Sequence, residues 1–422
     1  MNVPEIQFRQ KLSRGGYDSS RPSLNESWKL QTFGNTSVRI KSYSLSRKFE
    51  TKEVTNVKYI HYGDIHKFGD GIITDSNDLP SIKIKDASKY VHLSNGDLVL
   101  ADASEDYSEI AKPFLLEVKD INKVIVISGL HTIAVRLKKN DPLFMYYLFN
   151  TDIFKHFGYR HGTGLKVFGI SYNELAKFKF YVPGNIDEQK EIGIFLKKLD
   201  YLIQLQWQKL DKLKQLKQGY LQKIYPKSNR VVPNLRFDGF KNNWRKYIYD
   251  NLLKDVNEKS TVKNQYEELS STNNGIENKS GRVKSKNNIG SKILRKNELV
   301  LSPQNLWLGN ININFKFENG LVSSSYKIYK IINIDILFFN GLIKLPQLMW
   351  QYKVSSVQGA SVVRRNLDLE AFMNISILVP NITEQHRIGS FLSNIDKLIN
   401  LQSKKLRTLK KLKQGYLQKM FC

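Results

Sequence analysis

The hydrophobic positions of this chain follow two different rhythms that alternate along its length. In residues 188–225, and again in residues 384–421, they recur every three and four places, without proline and with one internal glycine near the end (Gly219 and Gly415). That spacing predicts a long helix with a heptad seam. In the first copy the two rows of the seam are Leu196, Ile203, Leu210, Lys217, Ile224 and Ile192, Leu199, Gln206, Leu213, Tyr220. In the second they are Leu392, Ile399, Leu406, Lys413, Met420 and Ile388, Ile395, Gln402, Leu409, Tyr416. The polar interruptions fall at the same heptad places in both copies, and a polar seam residue gives up stability but fixes register and partner. Aligned without a gap, the segments are identical at 23 of 38 positions, so this is an internal repeat. Each helix would run about 57 Å at 1.5 Å per residue, and the matching seams predict that the two helices pair. Extra apolar positions (Leu202, Leu205, Leu216 and Leu398, Leu401, Leu412) widen the stripe, so that further helices can dock there.

Before and between the helices the pattern shortens to β-branched and aromatic runs between turn residues, which predicts a mostly antiparallel sheet. These stretches echo one another faintly. Residues 3–8 (VPEIQF) resemble residues 232–237 (VPNLRF), and Trp28 and Trp244 follow, with 13 extra residues in the first copy. Residues 95–100 (NGDLVL) resemble 296–301 (KNELVL), Gly162 matches Gly359, and both stretches close on an alternation ending in Val-Pro (Val182-Pro183 and Val379-Pro380). Asp141-Pro142 supplies an N-cap and a first-turn proline for a helix over 143–157. A second helix, over 335–352, is interrupted by Pro346. Each half is therefore an α+β globule followed by a long helix. The expected segments are 1–183, 184–226, 227–380 and 381–422, with residues 226–230 marking the junction and 9–25 a polar insertion without clear pattern.

The chain has 422 residues, 41% of them hydrophobic, with 22 Phe, 21 Tyr and 5 Trp, enough for two real cores. Its net charge is +27, which argues for a polyanionic partner, nucleic acid before an anionic membrane surface. No apolar run approaches the roughly 18 residues of a spanning helix, and no signal sequence opens the chain. The one cysteine, Cys422, excludes internal disulfides and multi-thiolate zinc and fits a reducing cytoplasm.

Catalytic signatures are missing. The sequence has no GxxxxGK[ST] phosphate loop, no GxGxxG opening a helix, and no Asn/Asp-Pro-Pro-aromatic motif of amino-methyltransferases. His61 and His66 flank Asp64, and His156 and His161 repeat the spacing, but neither pair has usual zinc spacing. They read as surface or DNA-facing histidines, with no metal site. The acidic run at 102–106 (DASED) reads as a solvated loop. Basic charge in the variable stretches comes with Gly, Asn, Ser and aromatics, which suits phosphate holding and base-edge reading. The candidate DNA contacts are Tyr59, His61, His66 and Lys67; Arg160, His161, Thr163 and Lys166; Ser270, Ser271, Asn273 and Asn274; Gln304 and Asn305; and Gln358, Ser361, Arg364 and Arg365. Of these, Arg364 suits a phosphate clamp next to the Gly359 turn.

The two copies of EQ-x-x-IG-x-FL-x-x-x-D-x-LI-x-LQ and KQGYLQK, the VP-x-x-x-F openings and the paired LVL strands resemble the DNA-specificity subunit of type I restriction–modification enzymes, over the whole chain. The resemblance implies an α+β fold class: two α/β target-recognition domains in pseudo-two-fold arrangement, joined by two long conserved helices pairing as an antiparallel coiled coil. It implies that each domain reads one half of a split, asymmetric target in double-stranded DNA. The helices would set the spacer and dock two methyltransferase subunits, with restriction subunits completing the assembly. Helix pairing and docking would rest on Leu196, Leu199, Ile203, Gln206, Leu210, Leu213, Leu392, Ile395, Ile399, Gln402, Leu406 and Leu409. No catalytic residue and no cofactor is expected in this chain; S-adenosylmethionine, ATP and Mg are expected in the partner subunits. A cytoplasmic location and no membrane partner follow. Two other readings stay open at this point: a self-contained nuclease or methylase, and a freestanding DNA-binding or structural protein dimerised by its repeated helices.

Overall fold

The computed structural model describes residues 28–67, 71–106, 109–164, 167–227, 230–279, 287–358 and 365–421. The chain divides into two compact units, Met1–Leu205 with Leu406–Cys422, and Gln206–Lys405.

In the first unit the strands are β1 (Trp28–Thr32), β2 (Ser37–Ile40), β3 (Val57–Ile60), β4 (Ile72–Ile73), β5 (Leu98–Ala101), β6 (Ala103–Ser104), β7 (Pro113–Leu116), β8 (Ile125–Ser128), β9 (Thr132–Leu137), β10 (Phe168–Gly169) and β11 (Lys179–Pro183). The helices are α1 (Phe33–Thr36), α2 (Tyr62–Lys67), α3 (Pro142–Leu148), α4 (Asp152–His161) and α5 (Tyr172–Leu175), and the chain leaves on α6 (Ile186–Ile224). Five strands form one sheet in the order β2-β9-β5-β7-β4. Central β5 is buried along its whole length, which explains its unbroken apolar run. Pairing is mostly antiparallel, as expected; β3 with β8 and β4 with β7 are parallel. The single helix expected over 143–157 is instead two. Thr151 ends the first by donating to Leu148 O (2.6 Å) and caps the second by accepting from Phe154 N (3.4 Å). A short polar side chain competes with the helix for backbone groups and wins here.

The second unit holds β12 (Arg245–Ile248), β13 (Leu253–Val256), β14 (Leu269–Thr272), β15 (Gly275–Asn278), β16 (Lys292–Arg295), β17 (Glu298–Leu301), β18 (Ile311–Ile313), β19 (Asn319–Val322), β20 (Lys327–Ile331), β21 (Ser356–Gln358), β22 (Arg365–Leu367) and β23 (Ser376–Val379). Its helices are α7 (Ile336–Leu342), α8 (Pro346–Val354), α9 (Leu369–Met373) and α10 (Ile382–Met420), with the break at Pro346 that the sequence predicts. The main sheet runs β13-β20-β17-β18. That order repeats β2-β9-β5-β7, with the two LVL strands β5 and β17 at equivalent places. Each is entered through a left-handed residue, Gly96 (φ +89°) or Asn297 (φ +65°), residue types that tolerate that conformation. In both units the first strand pairs antiparallel with the last: Trp28 opposite Pro183, and Arg245 opposite Val379.

The repeated EQ-x-x-IG motif has the same physical meaning in both units. Gln189 Nε2 donates to Pro183 O (2.9 Å), and its Oε1 accepts from Asp141 N (3.0 Å). Gln385 Nε2 donates to Pro380 O (2.9 Å), and its Oε1 accepts from Asp335 N (2.8 Å). Each glutamine ties the end of the last strand to the cap of α3 or α7, and Asp141 and Asp335 cap those helices by accepting from Phe144 N and Phe338 N. The glycine four places later admits the helix to this cap. A Cβ on Gly193 would lie 3.1 Å from Phe144 N, and one on Gly389 2.6 Å from both Phe338 N and Asp335 Oδ1.

Within each unit a stretch of one long helix lies antiparallel to a stretch of the other. In the first, the Phe195 and Tyr416 rings meet edge-on at 4.9 Å, and Lys413 Nζ reaches Asp200 Oδ1. In the second, Tyr220 meets Phe391 at 4.9 Å, Lys217 Nζ lies 2.6 Å from Asp396 Oδ1, and the amide of Gln206 donates to that of Gln402. The polar interruptions of the seam are therefore partnered. Leu196, Leu199, Gln206, Leu210, Leu392, Ile395 and Leu406 are buried. Ile203, Leu213, Ile399, Gln402 and Leu409 are half-buried. The extra apolar stripe is exposed, from Leu205 at 42% to Leu401 at 60%.

The helix glycines yield a prediction of opposite signs. Gly415 has no neighbour that a Cβ would touch, so Gly415→Ala should stabilise by about 0.5–1 kcal/mol through helix propensity. Gly389→Ala gains the same propensity but drives its Cβ into backbone, an overpacking cost of about 1–3 kcal/mol. Chemical denaturation should raise the midpoint for the first variant and lower it for the second.

Candidate nucleic-acid interface

In the first unit the structure sorts the candidate residues into core and surface. Tyr59 and His61 were expected on a DNA-facing loop, and both prove to be buried. Tyr59 lies in β3 with its hydroxyl donating to Glu50 Oε1 (2.8 Å), and burial pushes the phenol well up. His61 Nδ1 accepts from Gly63 N (3.1 Å), and burial, then the Arg47 guanidinium, push the imidazole down. The reason is tertiary: β3 pairs with β8 and packs Tyr59 in one core with Ile127, and His61 follows directly, its backbone N donating to Asp64 Oδ2 (3.0 Å). The solvated loop expected at 102–106 is also corrected in part. Ser104 is buried in β6, and Asp102 is only partly exposed.

Two surface candidates lie at β6 and at the strand paired with it: His66 at β6 and Thr163 at β10. His66 is half-buried, with Nε2 3.4 Å from Ala103 O and Nδ1 3.6 Å from Glu109 Oε2. β10 pairs with β6, Thr163 and Gly169 exchange backbone hydrogen bonds (2.9 and 2.8 Å), and Ile170 N donates to Asp102 O (2.9 Å). Thr163 and Arg160 are exposed, and half-buried His161 lies against Phe157 at 4.2 Å. Lys67 closes α2. Arg39, His131 and Tyr172, which the sequence reading missed, join this group, together with Tyr62 from the stretch between the candidates Tyr59 and Lys67. His131 Nδ1 lies 3.3 Å from Asp102 Oδ1, and the His131 and Tyr62 rings meet at 5.5 Å. Arg39 lies over Tyr172 at 5.2 Å. Burial pushes the Asp102 carboxyl up, while His131 and then Arg39 draw it down. His131 has a left-handed backbone (φ +56°) in a turn and belongs to no periodic pattern.

In the second unit an asparagine ladder gathers the candidates. Ser271 is buried: its Oγ donates to Asn310 Oδ1 (2.7 Å) and accepts from Asn312 Nδ2 (2.8 Å). Ser270 is half-buried beside it, and Asn273 and Asn274 form the exposed tip of the β14–β15 hairpin. Lys344 Nζ holds that tip through Asn273 O (3.0 Å) and Asn312 Oδ1 (2.8 Å). Ser302 N donates to Asn310 O (3.1 Å), which brings exposed Gln304 and half-buried Asn305 close by. The turn continues to Trp307, over which the Arg365 guanidinium sits at 5.1 Å. Gln358 stands opposite Arg365 across the β21–β22 pair. Asn310, Asn312, Lys344 and Trp307 were not singled out from sequence, although the alternation Asn310-Ile311-Asn312-Ile313-Asn314 is a period-two signal. Lys166, Ser361 and Arg364 lie outside the described residues, as do the openings at 3–8 and the insertion at 9–25.

Among the described residues no three His, Cys, Asp or Glu side chains come together as a metal site, and no helix is long and apolar enough to cross a membrane. The first cluster offers hydrogen-bond acceptors and aromatic edges. The second offers amides and a guanidinium on an indole. Carboxylates accept from cytosine N4, Asn and Gln pair with adenine, and Arg with guanine.

Residues 28–215 match the family profile described as the type I restriction modification DNA specificity domain. The type I restriction enzyme MjaVIII specificity subunit of Methanocaldococcus jannaschii is 30% identical over 134 residues, which are 31% of this chain and 29% of that protein. The match thus spans less than a third of the curated relative. The solved S subunit of a type I restriction–modification system from M. genitalium superposes with a TM-score of 0.59 at 14% identity, covering 95% of this chain and 98% of that one. A chain from a structural study of complex assembly and conformational transition in the type I R-M system gives 0.51 at 13% identity, covering 94% and 98%. These two likenesses establish a shared fold.

Proposed function

We propose, from the premise that this chain is a type I restriction–modification specificity subunit by its matched domain and its fold, that each of its units reads one half of a split DNA target. Residues 1–183 serve one half-site and 227–380 the other. The long helices pair as an antiparallel coiled coil, set the spacer, and dock two methyltransferase subunits, to which restriction subunits add. The observation that carries this reading is that one scaffold is built twice, with the same strand order and the same glutamine tie, while the polar loops on it differ. A repeated scaffold with divergent loops is what reading two unlike half-sites requires.

Chemistry is divided accordingly. Phosphate contacts hold the duplex, and base-edge contacts choose the sequence. Two readers on one chain need no palindrome, and half-sites about one helical turn apart are separated by roughly 34 Å. Methylation within a duplex requires flipping the base out of the stack, a task for the docked methyltransferase with its S-adenosylmethionine. This chain locates the base and carries no catalytic residue.

Methylome sequencing of the host with and without the gene tests the proposal. The expected result is a two-part motif with unlike halves that is methylated only when the gene is present. Methylation or cleavage by the purified chain alone would overturn it.

A further inference from the structure

Gln189 and Gln385 are buried at 3% and 4% exposure, yet neither amide touches another side chain in the ties described above. Each spends both ends of its amide on backbone groups of two different elements: the carbonyl that ends the last strand, and the amide that opens α3 or α7. The residue itself belongs to a third element, the long helix. One side chain thus fixes strand, short helix and long helix at a single point. The geometry agrees between units to within 0.2 Å on each bond, although the globules around it have diverged. Gly193 and Gly389 lie one turn further on, where any side chain would push the two helices apart.

We infer that Gln189 and Gln385 are positioning residues that fix the attitude of each recognition globule on its own long helix, and that they set how strictly the chain enforces spacer length. The inference rests on the specificity-subunit reading. Its physics is that of a pivot. A small rotation at the tie turns the globule that it holds, and the polar loops that the globule carries move with it. One base pair more or less in the spacer moves a half-site by about 3.4 Å along the duplex axis and turns it by roughly a tenth of a helical turn. A pivot held by two hydrogen bonds and a close helix contact resists that displacement. A loosened pivot accepts it, while the loops that face the bases are unchanged.

The test uses the full complex, expressed in a host that lacks the gene. Gln189→Ala and Gln385→Ala remove both bonds. Gln189→Glu keeps the acceptor for Asp141 N but sets a carboxylate oxygen against Pro183 O. Gln189→Met keeps the volume and makes neither bond, and serves if the alanine variant does not fold. The readouts are the methylated motif, sorted by half-site bases and by spacer length, and binding to duplexes with the cognate spacer and with one base pair added or removed. The expected result is unchanged half-site bases, with off-spacer methylation relative to cognate rising roughly tenfold, the equivalent of two lost hydrogen bonds. Gln189→Glu, which loses the donor and buries a carboxylate against Pro183 O, should loosen spacing at least as much as alanine. A uniform loss across all spacers, or a spacing preference as strict as wild type in assembled complexes, overturns the inference. A wild-type complex without any two-part motif would instead overturn the specificity-subunit reading beneath it.

Discussion

Leu210→Asp combined with Leu406→Asp should leave a chain that no longer assembles with methyltransferase subunits and that loses helix signal and solubility. Leu210 and Leu406 hold the same place in the two copies of the heptad and are 8% and 9% exposed. Truncating a buried leucine costs about 2–5 kcal/mol through lost packing. A carboxylate adds a desolvation penalty at these buried places. Two such changes approach the whole stability of a domain, about 5–15 kcal/mol. The control is Leu216→Asp with Leu412→Asp, on the same helices but 48% and 44% exposed. Each of those substitutions should change the stability by no more than about 0.5 kcal/mol, and they serve as the control for folding alone, because the exposed stripe is itself a candidate docking face. Circular dichroism and co-purification with a methyltransferase subunit read the outcome. A fully assembled complex from the buried double variant would end the coiled-coil proposal.

Exchange of residues 232–380 for the matching stretch of a related chain should rewrite one half of the methylated motif and leave the other intact. Each mismatched base pair in a site typically costs about 1–3 kcal/mol, so a half-site with several changed bases loses recognition by orders of magnitude. The join must respect particular contacts. The graft must bring an aspartate at 335 to cap α7, and a backbone carbonyl at 380 for Gln385. It must also bring an arginine at 236, because Arg236 binds Glu384 through two bonds of 2.7 Å and Glu384 is fully buried. A graft without that arginine strands a buried carboxylate, and its failure would reflect the seam rather than the reading surface. Motif sequencing decides: change in both halves, or in neither, contradicts the division of labour.

The legible parts of this chain are those whose rules are periodic. The heptad predicted both long helices to within two residues at either end, since 3.5-residue spacing is a property of sequence alone. Asp141-Pro142 and Pro346 marked helix boundaries because capping and the missing amide act locally. Partnerships were harder to see. Lys217 and Lys413 stood out as seam lysines, but their acids, Asp396 and Asp200, are set by how two distant segments meet. Gln189 is a repeated letter, yet its partners are backbone atoms 48 and 6 residues away, which leave no trace in side-chain identity. Among the candidate contacts, tertiary folding brings His66 to β6 and Thr163 to β10, which pairs with it, and Tyr59 and His61 are taken into a core that the polar letters around them concealed. His131, which completes that cluster, sits in a turn where no pattern operates.

The backbone-only character of the glutamine tie bears on how such a chain can change over generations. A socket that recognises only a carbonyl and an amide is blind to the residues that carry them, apart from the capping aspartate. Away from that aspartate and from contacts such as Arg236 with Glu384, mutations can therefore accumulate in either globule without compensating changes at the tie. Divergence of the polar loops and constancy of the frame are then two results of one arrangement, because at this tie the frame asks the globule for backbone geometry and a capping aspartate.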